Sequence, residues 1–137
     1  MNNDEFKMLA QFRAYLRQFD YFSEQQCAEV GLTSQQYRAL LTIKGHPGPD
    51  LIVITELAQR MMIKHNSAVG MVDRLVKEGL VRRRPSKEDR RCVGIELAPR
   101  GEQAFGRLVQ VHRDELCRLS PGLGRCVNHF AKSVARA

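Results

Sequence analysis

Six cationic side chains occur within ten residues of this sequence, and together they could bind phosphate groups. The segment RRRPSKEDRR, residues 82–91, sets these six cations against only two acids, Glu88 and Asp89. Arginine and lysine supply most of the phosphate contacts that proteins make with nucleic acids. A solvated hairpin needs no such excess of positive charge, so the segment indicates a surface that binds a polyanion.

The charge of the whole chain is concentrated around this segment. Residues 60–91 hold ten Lys or Arg and four Asp or Glu, which accounts for +6 of the formal net charge of +7. A basic patch confined to one part of a chain is the electrostatic signature of a protein that binds the nucleic acid backbone.

Two short predicted helices precede the basic segment and would position it. The first spans Thr55–Met62, with Thr55 as its N-cap, and the second spans Asn66–Glu78. The helical period places one apolar arc of the second helix in the core: Ala68, Val69, Val72, Leu75 and Val76. The opposite arc carries no carboxylate and consists of Ser67, Gly70, Met71 and Arg74. Two helices joined by so short a turn predict a helix-turn-helix whose second helix can enter a groove.

A hairpin is predicted after the second helix. Gly79 is a typical residue just past a helix end, and Leu80–Arg84 and Arg91–Leu97 read as strands around the turn Pro85–Asp89. In the second strand, apolar residues alternate with others, so one side should pack on the helices: Val93, Ile95 and Leu97. The segment Leu51–Ile54 is suited to pair with the hairpin as a short third strand.

Amphipathic helices are predicted at both termini. The first covers residues 4–30, a helix with a Thr33 capping box follows, and residues 99–136 hold two more helices separated at Ser120-Pro121. The predicted fold is therefore mainly α with a small β-wing, a winged helix-turn-helix of six helices with a two-stranded wing and a short third strand. A terminal helix this long cannot bury its whole apolar stripe against the helix-turn-helix alone, which indicates a helical dimerisation region.

Length and composition limit the other possibilities. We expect a single domain, residues 1–137, in which a winged helix-turn-helix at about 33–98 is flanked by dimerisation helices at about 4–30 and 99–136. No apolar run is long enough to span a membrane and the N-terminus is polar, so we expect a cytoplasmic protein without membrane contact. No phosphate-binding glycine loop, nucleophile elbow or metal-ligand spacing occurs, and we expect neither an enzyme, nor a cofactor, nor a metal site.

These motifs resemble the MarR family of bacterial winged helix-turn-helix transcriptional regulators over nearly the whole chain. The resemblance lies in ITELAQRM, in SAVGMVDRLVKEGLVRR and above all in RPSKEDRRCVGIELAPRG, where Asp89, Arg90 and Arg91 match the wing motif. It implies a homodimer built from the first and last helices, a recognition helix in the major groove and Arg91 in the minor groove, oriented by Asp89. Ala98 stands where the family usually has Thr, and no cysteine lies near the start of the first helix, which weakens a redox-sensor interpretation.

The residues predicted to contact DNA lie on the second helix and on the wing. They are Lys64, His65, Asn66, Ser67, Gly70, Met71, Arg74, Arg84, Lys87, Asp89, Arg90 and Arg91. The first turn of a recognition helix is where side chains reach base edges, although Asn66 could equally serve as an ordinary helix cap. Arg74 and Lys77 could be phosphate contacts or simply solvated cations.

A second set of residues could form a ligand pocket. The resemblance implies a small aromatic or anionic effector bound between the dimerisation helices and the winged region, and the candidate lining residues are Phe12, Tyr15, Phe19, Tyr37, Phe105 and His112. Aromatic residues at helical spacing are as typical of a core, and a histidine on such a helix is usually a structural residue. The pairing of Cys126 with His129 is better explained by packing than by metal binding.

Two functions from different classes remain open. The first is a ligand-responsive repressor that binds double-stranded DNA at a pseudo-palindromic operator as a homodimer. The alternative is a basic winged-helix module that binds RNA or another protein and has no specific operator.

Overall fold

The helices and strands follow one another in the predicted order, as a computed structural model of this chain shows. The structure describes the backbone of residues 1–136 and the side chains of residues 1–134. The elements are α1 (Asn3–Glu29), α2 (Ser34–Lys44), β1 (Ile52–Val53), α3 (Ile54–Met61), α4 (His65–Lys77), β2 (Val81–Pro85), β3 (Val93–Leu97) and α5 (Pro99–Arg136). The three strands form an antiparallel sheet in the order β1-β3-β2. The predicted fold class, including the third strand, is confirmed.

The number of helices is where the prediction is wrong, since the described residues contain five and not six. The sequence predicts a break at Ser120-Pro121, but α5 continues through both residues. Pro121 lacks an N–H, so the carbonyl oxygen of Cys117 has no helical donor four residues later. The hydroxyl of Ser120 donates to that carbonyl at 3.0 Å and replaces the missing bond. A proline in a helix interior is tolerated when the carbonyl that it leaves unpaired finds another donor.

Helix starts were predicted correctly for α2 and incorrectly for α3 and α4. Thr33 and Gln36 form the expected capping box, with both hydrogen bonds at 3.0 Å. Helix α3 begins one residue before Thr55, because Val53 pairs with Gly94 in the sheet and is already the extended residue that precedes the helix. Helix α4 begins at His65, after an extended Lys64, so Asn66 lies inside the helix and does not cap it.

The chain forms two compact units, and Cys27–Val109 is the one that contains the sheet. Its core consists of fully buried side chains from the helices and all three strands: Leu40, Ile52, Leu57, Val72, Leu75, Val81 and Ile95. A close backbone contact holds the start of α5 in this unit. A Cβ atom built on Gly101 would lie 1.9 Å from the carbonyl oxygen of Leu80, so only glycine allows this approach.

The second unit joins Met1–Gln26 to the chain from Gln110 onward. Leu119 and Cys126 are buried in it, and the Nε2 atom of buried His112 lies 2.8 Å from the Ser23 hydroxyl. Several of its large apolar side chains are exposed: Phe6, Leu9, Tyr21, Leu116, Val127 and Val134. The described part of this unit therefore leaves apolar surface in contact with solvent.

Candidate nucleic-acid interface

Helix α4 presents an exposed polar first turn. Four of its residues pack into the core at helical spacing, namely Ala68, Met71, Val72 and Leu75. Lys64, His65, Asn66 and Ser67 are exposed, and their side chains have no hydrogen-bond partner within the described chain. Backbone N–H groups in an uncapped first turn remain available to an acceptor such as a phosphate. The structure thus places these four predicted residues together on one surface.

Met71 does not belong to this surface, which corrects the sequence-based assignment of helix faces. Its side chain is only 3% exposed, whereas Val69 and Gly70 are partly exposed. Met71 lies three residues after Ala68 and four before Leu75, so it shares their buried face, and its flexible thioether suits an irregular core. Arg74 remains exposed at the other end of the helix.

At the tip of the wing, one carboxylate holds Arg91. The Oδ1 atom of Asp89 accepts a hydrogen bond from the backbone N–H of Arg91 at 3.0 Å and another from its Nε at 3.2 Å. Both bonds hold the pKa of Asp89 below its usual value, because they stabilise the ionised carboxylate. The Arg91 side chain is nevertheless 92% exposed. Asp89 therefore contacts Arg91 through two hydrogen bonds, and the guanidinium is left facing solvent.

Asp50, in the turn before β1, is a wing contact that sequence reasoning missed. Its carboxylate accepts hydrogen bonds from the Ser86 hydroxyl and from the Glu88 N–H, the latter at 3.3 Å. The Ser86 bond is the largest contribution to the lowering of the Asp50 pKa to about 2. Asp50 and Ser86 are 36 residues apart, so no local motif indicates their contact.

The three arginines of β2 already have acidic partners in the same unit. The Nε atoms of Arg82 and Arg84 both pair with Oε1 of Glu96, and Arg83 pairs with Asp73 of α4. The sequence-based charge count considered only Glu88 and Asp89, so it overstated the unpaired charge of the hairpin. Exposed ion pairs of this kind contribute at most about 1 kcal/mol, so a phosphate can still compete for these arginines.

Five cations of α4 and the wing have no acidic partner in the described chain, and they define the surface best suited to phosphate. Lys64, Arg74 and Lys77 lie on or beside α4, and Lys87 and Arg90 lie on the wing. An open groove of about 760 Å³ on the wing is lined by Leu51, Arg82, Arg84, Pro85, Ser86, Lys87, Arg90 and Glu96. Its lining contains four cations and one carboxylate.

The same winged region carries the similarity to known proteins. A sequence model of the MarR family matches residues 30–91, which include α2, the helix-turn-helix and the basic wing segment. Residues 30–91 are therefore similar to the MarR family. The predicted resemblance is confirmed.

Curated proteins similar to this chain are named as transcriptional regulators. The chain is 31% identical over 91 residues to the regulator PecS of Dickeya dadantii (strain 3937), covering 66% of this chain and 55% of PecS. It is also 31% identical over 79 residues to the repressor MdtR of Bacillus subtilis (strain 168), covering 58% of this chain and 49% of MdtR. The chain thus spans about half the length of each of these two relatives.

Solved structures agree with the fold over nearly the full length. AbsC of Streptomyces coelicolor, a MarR family regulator, has a TM-score of 0.72 at 18% identity, with 100% of this chain and 98% of AbsC covered. A mutant of MarR from E. coli, complexed with operator DNA, has a TM-score of 0.68 at 20% identity, covering 96% of both chains.

The residues predicted for a ligand pocket lie in both units. In the unit of the termini, Phe19 and His112 lie with ring centroids 5.8 Å apart, and Phe12 and Tyr15 are half-buried. In the other unit, the rings of Tyr37 and Phe105 stack with centroids 6.2 Å apart. Phe22 and Ser23 also contact His112, although the sequence did not single them out. Each set by itself resembles ordinary core packing.

Two other findings concern residues 1–136. No group of three or more His, Cys, Asp or Glu side chains in this part of the chain is arranged to hold a metal ion. None of its helices combines the length and apolar character that crossing a membrane requires.

Proposed function

We propose that this chain is a DNA-binding transcriptional repressor. In this proposal a homodimer binds a pseudo-palindromic operator, and a small aromatic or anionic effector releases it. The observation that carries the proposal is the wing tip, where Asp89 orients a guanidinium that is 92% exposed. A narrow minor groove has an enhanced negative potential and attracts such a group.

Helix α4 supplies the second half of the proposed DNA contact. Its exposed first turn, with Ser67 and Asn66, would face base edges in the major groove, and Lys64 and Arg74 would contact phosphates. Lys87 and Arg90 would add phosphate contacts from the wing. The similar proteins PecS and MdtR are named as a transcriptional regulator and a transcriptional repressor, which supports the proposed role.

The unit of the two termini supports the proposed dimer. Its exposed apolar side chains, among them Phe6, Leu116 and Val127, would be covered by a second copy of the chain. A two-fold dimer of this type presents its recognition helices about 34–36 Å apart, one turn of duplex DNA. An effector that changed this separation would release the operator.

Salt-dependent binding of the purified protein to DNA from upstream of its own gene tests the proposal. The logarithm of the affinity should fall linearly with the logarithm of salt concentration, and this DNA should bind more tightly than an unrelated duplex. Sedimentation should give a dimer in the same buffer. Equal affinity for every duplex, or a preference for structured RNA, would instead support the alternative of a basic interaction or RNA-binding module.

Arg91→Ala and Arg107→Ala form a matched pair for this assay, because each removes one exposed arginine. Arg107 lies on α5 and has no side-chain partner in the described chain. Only the Arg91 variant should lose affinity for the operator. Similar losses from both would show that net charge, rather than the wing, drives binding.

A further inference from the structure

We propose that Asp50 is a positioning residue for the wing. It lies outside the hairpin, and its carboxylate anchors the wing loop so that Arg91 is held in position to contact DNA. This inference rests on the proposed function. The inference adds to the proposed function a residue that need not touch DNA. This residue lies outside both the helix-turn-helix motif and the wing motif. A chain of hydrogen bonds leads from Asp50 through Ser86 and Asp89 to Arg91.

The first step is the orientation of the Asp50 carboxylate. Its Oδ1 atom accepts a hydrogen bond from the N–H of Leu51 at 2.7 Å, which fixes the carboxylate against its own backbone. Its Oδ2 atom then faces the wing loop and accepts from the hydroxyl of Ser86 and the N–H of Glu88. These donors stabilise the ionised carboxylate and lower its pKa to about 2.

The second step passes through Ser86, which is 7% exposed. Its hydroxyl proton is directed at Asp50, so its lone pairs are available to the N–H groups of Glu88 and Asp89, each at 3.3 Å. Its own N–H donates to the carbonyl of Cys92 at 2.8 Å. Asp50 therefore fixes the rotation of a hydroxyl on which two loop amides depend.

The third step leads from Asp89 to Arg91. The Asp89 N–H is held by Ser86, and its carboxylate accepts both bonds from Arg91. Asp50 is the one residue outside the hairpin whose hydrogen bonds reach residues 86–92 in the described chain. A loop that loses this anchor must be ordered at the moment of binding, which costs conformational entropy and weakens binding.

The sign of the effect separates positioning from charge. Asp50 carries a negative charge near Lys87, with which it lines a shared cavity, so its neutralisation alone should strengthen binding to a polyanion. Our proposal requires the opposite result. Asp50→Asn should weaken operator binding by about tenfold, the scale expected for losing a hydrogen bond to a charged group.

The experiment measures operator affinity for Asp50→Asn in the wild-type and Arg91→Ala backgrounds, at a salt concentration low enough for all four proteins to bind. Because Asp50 acts through Arg91, the loss should shrink to about twofold or less in the Arg91→Ala background. Ser86→Ala should reproduce the loss although it keeps the Asp50 charge. The control is Glu88→Gln, since this exposed wing carboxylate has no side-chain hydrogen bond in the described chain, and its affinity should be unchanged or higher.

Amide hydrogen exchange without DNA gives an independent readout. Residues 86–92 should exchange faster in Asp50→Asn while α4 keeps its wild-type protection, so the anchor is tested even if no operator is bound. Unchanged exchange, affinity equal to or above wild type, or an equal loss in both backgrounds would overturn the proposal. If the wild type binds no operator but the variant exchanges faster, the proposed function is refuted, whereas the anchoring role of Asp50 is supported.

Discussion

Helix α4 and the wing present their polar side chains in opposite ways. Helix α4 is fixed by packing, with Ala68, Val72 and Leu75 fully buried, and the polar residues of its first turn have no partners in the described chain. The wing tip buries only Ser86 and is fixed by hydrogen bonds between side chains and backbone. Substitutions in the first turn of α4 should therefore change which base sequence is preferred. Substitutions in the wing should also change whether the wing contacts the DNA at all.

The largest effect should come from Gly101→Ala, which disturbs the support that both regions share. Leu80 connects α4 to β2, and a methyl group at position 101 would clash with its carbonyl oxygen. We expect the free energy of unfolding to fall by about 3 kcal/mol in chemical denaturation. Gly106→Ala is the control, because a Cβ there meets no atom within 4 Å, and it should stabilise α5 by up to about 1 kcal/mol. Equal effects would mean that the close approach at Leu80 is not required.

Arg91→Ala should produce the next largest effect, on affinity and not on stability. Removal of an exposed guanidinium leaves the core intact but deletes the proposed minor-groove contact, so operator affinity should fall by about thirtyfold. Fluorescence anisotropy gives the affinity, and thermal melting should be unchanged. A variant that binds like the wild type would contradict the role of the wing.

Ser67→Ala should sharpen the contrast between the two regions, because it alters an exposed helix residue that lacks a partner in the described chain. We expect about a fivefold loss on the native operator and a smaller loss on operators changed at the contacted base pair, with an unchanged salt slope. Lys64→Ala should do the reverse and reduce the salt slope by about one unit. If both variants change only the slope, then α4 makes no base contact.

Glu96→Gln should have the smallest effect, and its sign is informative. The substitution removes the negative charge that Arg82 and Arg84 share, so affinity for DNA should rise by about threefold and the salt slope should become steeper. The gain should disappear in an Arg82→Ala, Arg84→Ala background. If Glu96→Gln does not raise the affinity for DNA in the wild-type background, then Arg82 and Arg84 do not contact the DNA.

Sequence patterns predicted the features that depend on neighbouring residues. The Thr33 capping box, the turn after α4 at Gly79 with its positive φ of 74°, and the hairpin of β2 and β3 follow from local rules. The same rules misjudged Met71, because the choice between Val69 and Met71 as the buried residue depends on what packs against α4.

Contacts between distant segments were beyond those patterns. Arg83 pairs with Asp73 from strand to helix, and Arg82 pairs with Glu96 across the sheet. A count of charges along the chain could not find these ion pairs. The continuity of α5 depends on one hydroxyl that donates to a carbonyl three residues earlier. The sequence alone predicts a helix cap at Ser120, because serine is also a typical N-cap residue.

The anchor at Asp50 has a consequence for protein engineering. Hairpins are attractive units for transplantation because their strands pair with each other, and residues 81–97 would look self-contained to a designer. A chimera that received only this segment would leave behind the carboxylate that shapes its tip. The tip of the grafted hairpin would then sample many conformations. To avoid this, the donor's turn before β1 would have to be transferred together with the hairpin.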